Sequence, residues 1–133
     1  PRPLRKIASG GELSRALLAV KRVLADVADS ATYVFDEVDS GIGGETARVI
    51  GAKLAEVARH HQVVCITHQP LIAAWGTHHL AVRKQTVDKR TVTSVVSLDI
   101  DGRVDELARM LGGADRSTTS RTAAAELIAS CAP

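Results

Sequence analysis

The sequence is poor in several residue types, and each shortage excludes a class of protein. Only three of its 133 residues are aromatic, so we expect no stacking platform for nucleic-acid bases. Two cysteines, Cys65 and Cys131, are too few for a disulfide framework and suit a reducing cytoplasm. The longest apolar runs, 16–20 and 71–75, are far shorter than the ~20 residues of a membrane-spanning helix.

The charge balance of the chain is also uninformative about partners. Seventeen basic and fifteen acidic residues give a net charge of +2, which is too small to indicate a nucleic-acid partner by itself. The residues that follow Pro1 do not have the pattern of a signal or transit segment, so we expect no export. A hydrophobic content of 45% with 24% charged residues is typical of a globular protein, and we expect residues 1–133 to form one domain.

The first half of the chain alternates between two hydrophobic periods. Apolar residues at helical spacing predict amphipathic helices over 13–29 and 45–59. Short apolar runs at 32–35 and 62–67 predict buried strands. A strand, a long helix and a second strand follow one another without a hairpin turn. This order indicates a βαβ unit and a parallel sheet. The predicted fold class is therefore α/β.

The second half of the chain has the patterns of a hairpin and two helices. Alternation over 80–85 and 91–99 predicts an antiparallel pair of strands. The pair Asp101-Gly102 predicts a turn, and the pattern over residues 104–111 predicts a short helix. The Ser/Thr cluster at 117–120 offers N-caps for a last helix that ends near Ser130.

Polar side chains follow both predicted strands of the parallel sheet. Asp36 and Glu37 follow the first strand, and Thr67 and His68 close the second. In open α/β sheets, ligands bind at the carboxyl edge where these residues stand. Adjacent carboxylates suit Mg²⁺ beside a phosphate, and an imidazole can donate to a terminal phosphate. A solvated strand end and a structural histidine are the alternatives.

A glycine-containing segment, Ser9-Gly10-Gly11-Glu12, stands directly before the first long helix. Two glycines let the backbone approach an anion closely, and a helix N-terminus offers unpaired N–H groups. The segment is either a phosphate-binding cap or an ordinary glycine loop in which Ser9 is the N-cap.

Taken in order, these motifs resemble those of ABC-type ATPase heads. The matching motifs are the signature sequence at Ser9–Glu12, Walker B at Tyr33–Glu37, the D-loop around Asp39–Gly41 and the switch histidine His68. Glu12 stands where transporters usually carry Gln, which favours the SMC-like branch that maintains DNA. Longer strings over 4–113 resemble bacterial DNA-repair members of that branch. The resemblance implies the C-terminal lobe of a P-loop NTPase head, with parallel strands, flanking helices and a C-terminal hairpin.

The resemblance also implies a role for each motif residue, with ATP and Mg²⁺ as cofactors. It implies that Asp36 holds Mg²⁺ through water, that Glu37 orients or deprotonates the attacking water, and that His68 contacts the γ-phosphate. It also implies that Ser9, Gly10, Gly11 and Glu12 contact ATP in trans at a second head, and that Asp39 links the two sites across the dimer.

One motif of such heads is missing from the printed sequence. A Walker A loop reads G-x-x-x-x-G-K-[ST], whereas the glycine loop at 41–46 has no lysine. The resemblance places that loop in an N-terminal lobe, beyond a coiled-coil arm. The implied partners are that lobe of the same protein, a second head in an ATP-dependent dimer, and DNA, with no membrane. The implied location is the bacterial cytoplasm, at the nucleoid.

The implied activity is ATP hydrolysis in the repair of DNA double-strand breaks. Because Walker A is missing, we expect the isolated chain to be inactive. Two alternatives stay open: the lobe of an SMC- or Rad50-type head, and a non-enzymatic module that binds protein or DNA. The paired histidines at 60–61 and 78–79 fit no usual zinc-ligand spacing.

Overall fold

A computed structural model describes residues 10–23, 31–87, 90–112 and 117–131 of the chain. The chain divides into two compact units, Pro1–Trp75 and Gly76–Pro133, and each is described by itself. The fold class is α/β, as predicted, while the single domain over 1–133 stays a prediction. No described helix has both the length and the hydropathy of a membrane-spanning segment.

The first unit is built around a βαβ arrangement. Its elements are α1 (Gly10–Val23), β1 (Thr32–Phe35), α2 (Gly44–Ala58), β2 (Gln62–Cys65) and α3 (Pro70–Ala73). β1 pairs with β2 in parallel, in the register that sets Thr32 opposite Gln62 and Phe35 opposite Cys65. The predicted parallel pair is therefore confirmed. The predicted end of the first helix, at 24–29, lies outside the described residues.

The two strands are covered on one face only, whereas the sequence predicted buried strands. Tyr33, Phe35, Val63 and Cys65 point to the same face and contact a core that includes Leu18 of α1 and residues of α2 and α3. The opposite face of this two-stranded sheet is open. Its apolar side chains are Val34, Val64 and Ile66, which are 61%, 42% and 55% exposed. We call these three residues the open face. An apolar run predicts a strand that packs on both sides, but it does not say which chain packs there.

Close packing of α2 against Trp75 requires a glycine at position 51. A Cβ on Gly51 would overlap the indole of Trp75 and lie 3.0 Å from the carbonyl oxygen of Leu71. Alanine is normally better than glycine inside a helix by roughly 0.5–1 kcal/mol. Here the overlap with a large ring and a backbone carbonyl outweighs that gain.

We therefore expect Gly51→Ala to destabilise the chain by about 1–3 kcal/mol, the usual cost of overpacking. Urea unfolding followed by the fluorescence of Trp75, the only tryptophan in the sequence, measures the difference. Val49→Ala, on the exposed side of the same helix, is the control and changes stability by less than about 0.5 kcal/mol. An unchanged or raised midpoint for Gly51→Ala would contradict the packing described.

The second unit consists of a hairpin and a pair of helices. Its elements are β3 (Leu80–Val87), β4 (Arg90–Ser97), α4 (Ile100–Gly112) and α5 (Thr118–Ser130). The strands pair antiparallel from Leu80 opposite Ser97 to Val87 opposite Arg90. α4 contacts α5. The predicted cap of the last helix is confirmed, because the Ser117 hydroxyl accepts the N–H of Ser120 at 3.2 Å.

Asp101 and Gly102 do not form a turn, in contrast to the prediction from sequence. They belong to the first turn of α4, which begins at Ile100. The Asp99 carboxylate accepts the N–H of Gly102 at 2.8 Å, and the Asp99 carbonyl accepts that of Arg103 at 2.9 Å. Asp99 is thus the N-cap, and its hydrogen bonds start the helix four residues before the predicted 104.

Candidate functional site

A cleft of about 480 Å³ lies at the carboxyl edge of the parallel pair. β1 leads into Asp36 and Glu37, and β2 leads through Ile66 into Thr67 and His68. The pairing extends one residue past β2, since the N–H of Ile66 donates to the carbonyl of Phe35 at 2.9 Å. The cleft is lined by Asp36, Glu37, Asp39, Ser40, Gly41, Ile66, Thr67 and His68. The topology thus brings the predicted acids and imidazole to one edge of the sheet.

The turn after β1 holds Glu37 in an uncommon conformation. Its φ is 56°, in the left-handed region, at a cost of about 1–3 kcal/mol for a residue other than glycine. One oxygen of the Asp36 carboxylate accepts the N–H of Glu37 at 2.9 Å, and the Glu37 carbonyl accepts the N–H of Ser40 at 3.0 Å. These bonds fix the turn while both acidic side chains stay exposed.

Asp39 is the buried acid of the site, with 4% of its surface exposed. Its Oδ2 accepts the Thr67 hydroxyl at 2.5 Å and the backbone N–H of His68 at 2.9 Å, and lies 3.1 Å from Nδ1 of His68. Burial opposes ionisation and is the largest single effect. The hydrogen bonds from Thr67 and His68 and the charge of His68 together outweigh it, so the pKa of Asp39 is lowered from its ordinary value.

The first turns of α1 are tied to the same turn after β1. The Ser14 hydroxyl donates to the carbonyl of Asp36 at 2.7 Å. Nη1 of Arg15 donates to the carbonyls of Val38 and Ser40 at 3.2 and 3.0 Å. Sequence reasoning assigned no role to Ser14, Arg15 or Thr67. The available signal was a hydroxyl and a guanidinium three and four residues after Gly11, in the first turns of a helix.

The glycine-containing segment meets the turn after β1 through Gly11. A Cβ at this position would lie 2.6 Å from the carbonyl oxygen of Glu37 and 2.8 Å from the Cβ of Ser40. Gly11 therefore has a packing reason that is independent of any phosphate. Gly10 is the first residue of α1 and Glu12 is exposed on its first turn. Ser9 lies outside the described residues.

Cys65 is not a candidate nucleophile or metal ligand. Burial, with the charges of Asp39 and Asp36, raises the pKa of the Cys65 thiol to about 12, so the thiolate is not available near neutral pH. Within the described ranges, three or more His, Cys, Asp or Glu side chains do not cluster as a metal site would require. The titratable side chains that line the cleft are the carboxylates of Asp36, Glu37 and Asp39 and the imidazole of His68.

Comparison with known proteins supports the resemblance drawn from the motifs. Family models give no match to the chain. Among curated proteins, the chain is 50% identical over 127 residues to the DNA repair protein RecN of Treponema pallidum, covering 96% of this chain and 22% of that protein. The chain is similar to one segment of RecN. RecN of Mycobacterium leprae is 50% identical over 126 residues, which are 95% of this chain and 21% of that protein. RecN of Bacillus subtilis is 41% identical over 125 residues, which are 94% of this chain and 22% of that protein.

The chain thus spans about a fifth of the length of the RecN proteins that it matches. The similarity to RecN that the long sequence strings indicated is confirmed over nearly the whole chain. The roles of the site residues stay predictions.

A solved structure shows the fold. The chain matches one from structural work on ATP-driven dimerization and DNA-stimulated activation of SMC ATPases, with a TM-score of 0.57. The match covers 86% of this chain and 68% of the other, at 18% identity. The predicted fold of an ABC-type P-loop NTPase head is therefore confirmed.

Proposed function

We propose that this chain supplies the Walker B and signature parts of an ATP-hydrolysing head that acts in the repair of DNA double-strand breaks. The observation that carries the proposal is the convergence of Asp36, Glu37 and His68 on one cleft at the carboxyl edge of two parallel strands. Similarity to a segment of RecN and the fold of an SMC ATPase head support it.

The carboxylates of the cleft fit Mg²⁺ and the water that attacks a phosphate. Asp36 has an exposed carboxylate that is oriented by the N–H of Glu37, and Mg²⁺ prefers one or two carboxylates together with waters and phosphate oxygens. Bound Mg²⁺ neutralises charge on the phosphates. Glu37 orients the attacking water or accepts its proton, and His68 contacts the terminal phosphate. Positioning and electrostatics supply most of the acceleration in such a site.

We place the Walker A lobe on the open face and along the free edge of β2. β1 and β2 form a two-stranded sheet in the described part of the chain. N–H groups of Gln62 and Ile66 point to β1, so those of Val63 and Cys65 point to the other edge. An unpaired edge and an uncovered apolar face together suit a further parallel strand and a helix that packs across it.

The remaining partners follow from the family resemblance. Ser9, Gly10, Gly11 and Glu12 contact ATP that a second head holds, and DNA is the substrate on which the complete protein acts. Asp39 is proposed to link the two sites, although its carboxylate is engaged by Thr67 and His68 of its own chain. The proposed location is the cytoplasm, at the nucleoid.

The proposal is tested by supplying the missing half of the site. We expect the chain alone to hydrolyse no ATP above background, and the chain joined to the Walker A segment of RecN to hydrolyse ATP in the presence of Mg²⁺. A joined protein whose Walker A lysine is replaced by Ala is the control. Equal phosphate release by the joined protein and this control would sink the proposal and favour a non-enzymatic module.

A further inference from the structure

The imidazole of His68 is held through one of its two ring nitrogens. Nδ1 lies 3.1 Å from Oδ2 of Asp39, the oxygen that also accepts the Thr67 hydroxyl. We propose that Asp39 and Thr67 are positioning residues that fix His68 as the Nδ1–H tautomer and leave Nε2 to face the nucleotide. The inference rests on the function proposed above and specifies how that site presents its imidazole.

The direction of each hydrogen bond follows from the chemistry of the groups. The backbone N–H of Gln69 donates to the Thr67 hydroxyl oxygen at 3.0 Å. The single hydrogen of that hydroxyl is therefore left for Asp39. An ionised carboxylate only accepts hydrogen bonds, and an unprotonated Nδ1 would place its lone pair 3.1 Å from those of Oδ2. The contact therefore favours the form of His68 in which Nδ1 carries the hydrogen. Thr67 thus orients Asp39, and Asp39 selects the tautomer of His68.

The two ring nitrogens of His68 differ in their surroundings. Asp39 is almost fully buried, whereas the His68 side chain is 76% exposed. Among the described residues, the polar contact of the His68 ring is the one between Nδ1 and Oδ2 of Asp39 at 3.1 Å. Neutral His68 therefore presents a lone pair at Nε2, which accepts a hydrogen bond from water. A phosphate oxygen also only accepts, so contact with it requires a proton from solvent on Nε2.

The tautomer can be measured by NMR on the ¹⁵N-labelled chain. Long-range ¹H–¹⁵N correlations at a pH where imidazoles are neutral distinguish the two tautomers of each of the five histidines, and His68→Gln identifies the signals of His68. We expect Nδ1 of His68 to be protonated and Nε2 unprotonated. In Asp39→Asn, the amide can donate to Nδ1, so we expect the Nε2–H form to become the major one.

Variants of Thr67 separate positioning from general destabilisation. Thr67→Val removes the hydroxyl, and we expect it to raise the Nε2–H population, whereas Thr67→Ser keeps the wild-type tautomer. Thr32→Val is a matched control, because it removes a hydroxyl that bonds Gln62 at 2.7 Å at the other end of the same strand pair. Dispersed backbone amide signals show that each variant is folded. Should Asp39→Asn not fold, Thr67→Val carries the test.

Two results would overturn the inference: an Nε2–H form of His68 in the wild-type chain, or an unchanged tautomer in every folded variant at Asp39 and Thr67. Neither result depends on ATP turnover, so failure here is distinct from failure of the proposed function. In the complete protein, we expect Thr67→Val to lower kcat roughly tenfold, a common effect of losing a group that orients an imidazole, and Thr67→Ser to retain it.

Discussion

Replacement of Glu37 by Gln is expected to lower ATP turnover by the complete protein at least about a hundredfold, while ATP binding is kept. Gln has the shape of Glu but cannot take a proton from the attacking water. The Glu37 side chain is exposed in the cleft and the strain of the turn lies in its backbone, so the substitution leaves the fold unchanged. Phosphate release under saturating ATP and nucleotide binding at equilibrium measure the two quantities separately.

Glu45→Gln is the matched control for this experiment. Glu45 is an exposed carboxylate in the first turn of α2, a few residues along the chain from the D-loop. Glu45→Gln removes the same charge as Glu37→Gln, and Glu45 is not among the residues that line the cleft. We expect the control to keep turnover within about twofold of wild type, as is usual for a surface change. Turnover by Glu37→Gln near the control value would show that Glu37 is not the catalytic base.

The local pattern of the sequence was sufficient to predict the edge on which the site lies. β1 covers the predicted residues 32–35, because a short run of β-formers between polar clusters has few other solutions. Once the βαβ unit is predicted, the parallel order of its strands follows, and the residues after each strand must meet at one edge. Asp36 and His68 could therefore be placed together without coordinates.

The contacts that organise the site could not be predicted in this way. Arg15 reaches carbonyls 23 and 25 positions further along the chain, and Thr67 reaches a carboxylate 28 positions back. Periodicity reports neighbours within a few residues and carries no information on such distant partners. Gly11 was interpreted through its freedom to approach an anion, whereas the structure places the backbone of Glu37 against it.

The start of α4 shows a different limit of sequence patterns. Asp101 and Gly102 form a common turn pair, but Asp99 caps the N–H of Gly102 and the helix includes both residues. A side-chain cap outweighed the turn preference of the pair that follows it. The prediction of buried strands failed for another reason. The lobe that we propose to cover the open face belongs to a different segment of the protein.

A charge on the open face is expected to abolish ATP turnover by the complete protein while the isolated chain stays folded. In Val34→Glu the carboxylate is solvated in the chain alone, so unfolding free energy changes by less than about 1 kcal/mol. If the Walker A lobe covers this face, the same carboxylate is buried without a partner. That costs roughly 3–5 kcal/mol, which corresponds to a hundredfold or greater loss of assembled site, since each 1.4 kcal/mol is a factor of ten.

Val49→Glu separates burial at the open face from the mere addition of charge. Val49 is 48% exposed on α2 of the same unit, so its carboxylate stays solvated unless that helix is also covered. Urea unfolding of the isolated chain and ATP turnover of the complete protein are measured for both variants. A loss of turnover in Val34→Glu with full activity in Val49→Glu places the second lobe on the sheet. Full activity in both would mean that the open face stays exposed to solvent in the assembled head, and the ATP site would then have to be completed from the edge of β2 alone.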